Sequence, residues 1–310
     1  MLKVLKIKNN IKKNTQVIDE NYINQFAPSF DCDLYESKYE VYDLYRLILK
    51  SVALGDSAGA PLEGRKNVEV PQNFLYLNNS NITDDTTLTV ATMHAIMQLK
   101  EFPDFTKYYA LYGKNYPDMG YGGSFYSWIK LKKKKPYNSY GNGSAMRVAP
   151  VVTFAKDVNR CIELAYLSSI VTHNHPEGIK GAIVTAVCVY LASKKDITKG
   201  DIIKYASSHY PELNKMNKEN MHSYLSSHKL YPPVSCQKSL PIALYSFANT
   251  DNFEDCIRMA ISFCHDTDTD AAIAGSIAGV FYNTFSEESE KQWNRIQQHK
   301  IFNRFIYACL

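Results

Sequence analysis

From Val41 onward the chain carries apolar residues at helical spacing, beginning with VYDLYRLILKSVALGDSAG. The same period recurs over 86–99, 104–112, 161–170, 178–193, 199–208, 240–248, 252–263 and 269–284, and each segment is predicted to be a helix. Alternating runs of β-branched residues, the mark of strands, are almost absent, so the pattern predicts an all-α fold. Residues 1–40 are polar, rich in asparagine and lysine, and show no clear period. They read as an N-terminal extension, with a single compact domain over 41–310. Stretches bearing Pro, Gly and Asn at 55–73, 113–124, 136–150, 172–178 and 231–241 read as loops. No repeat of fixed period interrupts this plan.

Composition narrows the class without changing it. With 310 residues and 45% hydrophobic content, the chain can bury a core without disulfides or structural zinc. Cysteines at 32, 161, 188, 236, 256, 264 and 309 form no CxxC pair, a scattered set that fits reduced, buried thiols in a cytoplasmic protein. A formal charge of +4 is too small to imply nucleic-acid binding, although it does not repel a polyanion. The N-terminal MLKVLKIKNNIKKNTQ breaks up its apolar residues with lysine, unlike a signal peptide. The most apolar tract, 181–193, falls short of the roughly 20 residues that span a bilayer. A soluble monomer without membrane or nucleic-acid partners is expected. The run Lys132 to Lys135 reads as a solvated loop, with contact to a phosphate as the alternative.

Five short segments carry chemistry. In Gly55-Asp56-Ser57-Ala58-Gly59-Ala60-Pro61-Leu62-Glu63, small residues permit close packing. An aspartate among them must be paired, metal-bound or shifted in pKa, because a lone buried charge is too costly. The plainer alternative makes Asp56 a cap or buried acceptor and Glu63 a surface residue. Thr83-Asp84-Asp85-Thr86 precedes the run LTVATMHAIMQL, where a hydroxyl and acidic residues suit a helix start. Those residues also offer several hard oxygens in a compact span, the ligands that hard divalent cations take.

Asp266-Thr267-Asp268-Thr269-Asp270 sets three aspartates in alternation, and a bound cation would relieve their repulsion. The helix that follows carries Ala271, Gly275, Ala278 and Gly279, small enough for another backbone to approach, and is expected to be central. An EF-hand loop from Asp266 is excluded, because Ala271 and Ile277 stand where glycine and glutamate are needed. A haloacid-dehalogenase-type phosphotransferase is disfavoured by the short stretch of chain left for its sheet. Gly141-Asn142-Gly143-Ser144-Ala145-Met146-Arg147 is either an ordinary turn or a backbone nest for a phosphate or diphosphate. Val171-Thr172-His173-Asn174-His175-Pro176-Glu177-Gly178 joins two helices. A zinc site there lacks a third ligand, so the histidines are expected to bond a ligand or secure the loop, with Thr172 as the cap.

In order and content these segments, GDxxGxxxE, TDDT, GNGxxMRxxP, THxHP and DTDTxAAxxGxxxG, resemble the ADP-ribosylglycohydrolase family, which includes the dinitrogenase reductase-activating glycohydrolases and the vertebrate ADP-ribosylhydrolases. The resemblance spans Val41 to Asn283 and implies a compact all-α domain with two Mg²⁺ (or Mn²⁺) ions in a cleft that receives ADP-ribose. By motif matching, Thr83, Asp84 and Asp85 are ligands from one side, and Asp266, Asp268 and Thr269 from the other. The ions would hold the ribose distal to the adenosine and orient a water toward an oxocarbenium-like transition state. Glu63 matches a glutamate that contributes to catalysis in some branches, with Asp84 and Asp85 as rivals for the general base. Gly141, Asn142, Gly143 and Ser144 would cradle the diphosphate, His175 would line the cleft, and Arg147 would pack structurally.

The implied reaction is hydrolysis of an N- or O-glycosidic bond between ADP-ribose and a protein side chain, poly-ADP-ribose or a small acceptor. In the family the last segment usually begins Gly-Gly-Asp, whereas Cys264 and His265 precede Asp266 here, adding bulk and a protonatable group. Two rivals stand beside this reading: another dinuclear-metal hydrolase such as a phosphohydrolase, and a non-catalytic crystallin-like binding protein. The second would be marked by lost ligands, and none is lost.

Overall fold

A computed structural model describes residues 19–65, 70, 75–217, 220 and 234–302. The helices are α1 (Glu20–Asn24), α2 (Val41–Gly59), α3 (Asp84–Ile96), α4 (Phe105–Asn115), α5 (Gly123–Lys130), α6 (Gly143–Met146), α7 (Val158–Ile170), α8 (Pro176–Ala192), α9 (Lys199–His209), α10 (Cys236–Ala248), α11 (Phe253–Ser262), α12 (Thr267–Tyr282) and α13 (Glu287–Ile296). Among the described residues no strand forms, and only two isolated bridges, Ser37 to Lys194 and Gly141 to Ser235, lie outside the helices and turns. The all-α expectation therefore stands, and each segment expected from its period is helical, with ends shifted by about one turn at most.

Besides the single turns α1 and α6, two helices were not expected. α5 is short and buries only Phe125, Trp128 and Ile129, too few positions for a period to register. α13 is largely polar and buries Ser289, Gln292 and Ile296. α10 begins at Cys236 and runs through Pro241, one turn ahead of the start that its proline suggested, and the hydrogen-bond ladder skips a rung there.

α12 is the axis of the molecule: from Thr267 to Val280 every residue is buried. α2 crosses it antiparallel at backbone contact. A Cβ on Gly59 would stand 2.1 Å from the Thr267 carbonyl oxygen, and one on Gly279 would stand 1.9 Å from Ser51 Oγ, so neither position accepts a side chain. The Thr267 hydroxyl donates to the Gly59 carbonyl at 2.9 Å and ties the end of α2 to the start of α12. α3 packs beside this pair although it is rich in buried threonines. Three of their hydroxyls are satisfied within the helix, where Thr87, Thr89 and Thr92 donate to the carbonyls of Thr83, Asp85 and Leu88 at 2.9, 2.8 and 3.0 Å, and that of Thr86 donates to Asp56.

The described part of the N-terminal segment is docked on the core. Ile23, Phe26 and Cys32 are buried. Asp33 Oδ1 accepts from the Val158 amide at 2.9 Å and from the Tyr190 hydroxyl at 2.7 Å, fastening the segment to α7 and α8. Among the described residues, no helix is long and apolar enough to cross a membrane.

Candidate active site

The crossing of α2 and α12 delivers acids from distant parts of the chain to one point. α3 starts there, with Thr83 as its N-cap. Asp56, near the end of α2, reaches across to that start. Its Oδ2 accepts from the Thr83 amide (2.8 Å), the Thr86 amide (3.1 Å) and the Thr86 hydroxyl (2.5 Å), and its Oδ1 accepts from the Thr83 hydroxyl (2.8 Å). Asp56, Asp85 and Asp268 each bring one oxygen to within 4.8 Å of the others, and Glu63, Asp266 and Asp268 do the same, so Asp268 belongs to both groups. Thr83 Oγ1 and Thr269 Oγ1 each lie 3.3 Å from Asp85 Oδ2. Asp84 faces Gly120, where a Cβ would stand 3.9 Å from its Oδ1.

Burial and mutual repulsion dominate the electrostatics. Burial pushes the Asp56 carboxyl up to about 6, against the four hydrogen bonds it accepts. Burial, then the charges of Asp56 and Asp266, carries Asp84 to about 8. Asp85 and Asp268 rise well above the carboxylate range, through burial and then through each neighbouring aspartate. Glu63 is raised by burial and by Asp266. Among the described residues, no lysine or arginine lies within ion-pair distance of any of these groups. Asp85 Oδ1 is buried without a hydrogen-bond donor. Hard oxygens packed this tightly, one of them unpartnered, fit a divalent cation.

His265 and Asp270 form a buried pair behind this centre, Nδ1 to Oδ2 at 2.9 Å. Burial opposes the charge on His265, but the charge and hydrogen bond of Asp270 raise its pKa overall. Cys264, just before it, adopts φ 52°, the left-handed conformation in which glycine is unstrained.

A cavity of about 280 Å³ opens above the acids. Thr83, Asp84, Asp266, Asp268 and Thr269 line its floor, Glu63 its exposed rim, and Gly141, Asn142 and Gly143 a wall. The Asn142 side-chain amide donates to Asp266 Oδ2 at 2.6 Å and to Ser239 Oγ at 2.8 Å, joining the glycine loop to the acidic centre. Two amides of the expected nest are engaged within the fold: Gly141 donates to Ser139 Oγ at 3.0 Å and Asn142 to the Val234 carbonyl at 3.1 Å. An anion here must therefore be met by Gly143 and Ser144. The Ser144 hydroxyl is itself spent on the Gly178 carbonyl, at 2.7 Å.

Of the two histidines, His173 lines the cavity. His175 is the N-cap of α8, its Nδ1 accepting from the Glu177 amide at 3.1 Å, and its ring packs edge-on against Tyr140. The expected cap, Thr172, is not one: it bonds Arg147 and His173 instead. The physical reason was legible, since a proline in the first turn of a helix makes the residue before it the cap. Asp56, expected to be paired, metal-bound or shifted in pKa, or else a cap or buried acceptor, is a buried acceptor with a raised pKa. Gly120, Gly122 and Gly123 also line the cavity, and their segment signalled only a loop.

A larger cavity, about 1280 Å³, lies elsewhere, between α2 and α13. Of the charged groups that line it, Lys50 and Glu290 are paired at 2.6 Å. In the lysine run, Lys132, Lys133 and Lys135 are exposed, while Lys134 donates to the Ile129 carbonyl at 2.7 Å and caps the end of α5.

The ADP-ribosylglycohydrolase family model matches residues 37–286. The chain belongs to the ADP-ribosylglycohydrolase family. One relative is "ADP-ribosylhydrolase ARH3" of Gallus gallus, 26% identical over 324 residues that cover 81% of this chain and 88% of that one. Another is the ADP-ribosyl-(dinitrogen reductase) glycohydrolase of Rhodospirillum rubrum, 24% identical over 253 residues, covering 74% and 83%. A solved "ADP-ribosylglycohydrolase-related protein complex" superposes with a TM-score of 0.63 at 20% identity, over 85% of this chain and 96% of that one, which shows a shared fold. As an ADP-ribosylglycohydrolase the chain is a glycosidic-bond hydrolase. The docked residues 19–36 precede the family match.

Proposed function

We propose that this ADP-ribosylglycohydrolase uses two Mg²⁺ or Mn²⁺ ions to cleave the bond between the distal ribose of ADP-ribose and an acceptor, either a modified protein side chain or a small conjugate. The observation that carries the reading is Asp268, shared by two carboxylate groups on the floor of a cavity walled by glycine loops. Thr83, Asp84, Asp85, Asp266, Asp268 and Thr269 would hold the ions. Asp56 supports them: it takes the Thr83 hydroxyl proton at 2.8 Å and so leaves a lone pair of that oxygen for a cation, the other accepting from the Asp85 amide at 3.3 Å. Bound there, the ions supply positive charge that fixes the ribose hydroxyls and acidifies a water.

Glu63 is our choice for the group that takes the proton of the attacking water. It stands on the exposed rim, accepts no hydrogen bond among the described residues and has a raised pKa, whereas Asp85 is buried beneath the floor. As the water oxygen joins the anomeric carbon, the bond to the acceptor breaks and its electron pair leaves with the acceptor. The proton held at Glu63 can then neutralise that leaving group. Residues 41–310 form the catalytic unit in this reading, with the preceding segment as an appended brace. Cys32, Cys161, Cys188, Cys236 and Cys256 are buried thiols, in keeping with a place in the cytoplasm.

The test offers ADP-ribosylated arginine and serine peptides, then a phosphate ester, with Mg²⁺ or Mn²⁺ and with chelator. Release of ADP-ribose that chelator abolishes is expected, and no action on the ester. Asp268→Asn should bind less metal and turn over about 100-fold more slowly or worse while keeping its circular dichroism. Unchanged metal content and turnover in that variant would sink the site, and ester cleavage alone would favour the phosphohydrolase rival.

A further inference from the structure

Arg147 is a fully buried cation without a counter-charge. Its guanidinium carbon lies 3.9 Å from the Tyr109 ring centre, and Nη2 donates to Thr172 Oγ1 at 2.6 Å. Nε and Nη1 are buried with no hydrogen-bond partner, and among the described residues no carboxylate lies within ion-pair distance. Holding a guanidinium in this way is costly, so packing alone is a poor reason for it: a methionine would fill such space at lower cost.

What the charge does reach is His173. Thr172 Oγ1 is 2.7 Å from His173 Nδ1, and the histidine ring forms part of the cavity wall. Its Nε2 faces the glycine loop: a Cβ on Gly143 would come within 3.3 Å of that nitrogen and one on Gly141 within 3.4 Å. Nε2 has no hydrogen-bond partner among the described residues, whereas Nδ1 is engaged.

We infer that Arg147 is a positioning residue: acting through the Thr172 hydroxyl, it fixes His173 as the neutral tautomer that carries its proton on Nε2, facing the glycine loop and the cavity. Arg147 Nη2 can only donate, so Thr172 Oγ1 accepts from it and its own proton passes to Nδ1. Tyr137, the other neighbour of the Thr172 hydroxyl, can accept that proton too. The cation decides between them, because the opposite tautomer would aim an N–H dipole at a guanidinium instead of a lone pair. Burial and Arg147 also drive the His173 pKa well below its usual value, so the ring stays neutral and has a single proton to place. The consequence is a fixed N–H donor beside Gly143, ready for an anionic oxygen. That last step rests on the ADP-ribose reading of the cavity, while the tautomer does not.

Nitrogen-15 NMR of the ligand-free protein, with His173→Gln to assign the signals, reads the tautomer directly. The wild type should show the Nε2–H pattern. Thr172→Val, which keeps the side-chain shape, should shift His173 toward a mixture with the Nδ1–H form and weaken ADP-ribose binding about ten-fold by calorimetry. Arg147→Lys should retain the wild-type pattern in part, and Arg147→Met should lose it. An Nδ1–H pattern in the wild type, or an unaltered tautomer in Thr172→Val, overturns the inference. If the wild type does not bind ADP-ribose, the functional reading fails, and the tautomer pattern still decides the role of Arg147.

Discussion

At Asp56 two demands meet in one carboxylate. It accepts four hydrogen bonds that hold the start of α3, and it lies within 4.8 Å of Asp85 and Asp268, whose charges it raises in cost. The hydroxyls of Thr83 and Thr86 could turn to new partners after its removal, but the two backbone amides could not. Asp56→Ala is therefore expected to destabilise the fold by about 3 kcal/mol in urea titration, with relief of repulsion offsetting only part of the loss. An unchanged midpoint would show that these amides find other acceptors. The two histidines show where single-residue inference stopped. In THxHP the proline marks His175 as the cap, but nothing local makes His173 the residue that lines the cavity. The Cys264-His265 departure is similar: the chain spells out the difference from Gly-Gly, but not that His265 would pair with Asp270 behind the acids.

At the scale of elements, the crossing of α2 and α12 sets the site. The small residues of both helices are legible as a close-packing signal, because any Cβ at the contact would strike backbone. Gly59→Val should cost more than about 3 kcal/mol, since the Cβ meets the Thr267 carbonyl at 2.1 Å, and should lower metal affinity by displacing Asp266 and Asp268. Gly200→Ala, in the first turn of α9 with only Thr198 Oγ1 at 3.5 Å, should be neutral or slightly stabilising. Equal loss in both variants would contradict the crossing as the critical contact. Periodicity predicted the long helices well because each has several turns over which to repeat. It missed α5 and α13 because a short helix or a mostly polar face gives too few apolar positions to count.

For the whole molecule the acidic centre couples folding to protons and cations. In the folded chain without metal, Asp56 titrates near about 6 and Asp84 near about 8, and Asp85 and Asp268 are raised as well, against about 3.9 when unfolded. Between those values the folded form binds more protons, so the contribution of these groups to stability falls as pH rises from about 4 through about 8. Thermal melting in chelator should therefore show a higher Tm at mildly acidic than at mildly alkaline pH. Added Mg²⁺ or Mn²⁺ should raise Tm most on the alkaline side, where protons no longer compete for the oxygens. A cation effect that is independent of pH would argue against ligation by these carboxylates.

Much of this protein was determined by sequence alone: the all-α class, the spans of the long helices, the central place of α12, and the acidic and hydroxyl residues on which the proposed chemistry rests. Those features are local, written in period, residue size and spacing, and they survive without knowledge of what packs on what. Tertiary structure decided what depends on contact. It drew Asp56 to the start of α3, split the roles of His173 and His175, and engaged two amides of the expected nest. It also left Arg147 buried against Tyr109 with its charge directed at Thr172. Each of those outcomes is a distance between residues far apart in the chain. A sequence pattern records which groups are available, while burial and proximity decide which of them remain free to act.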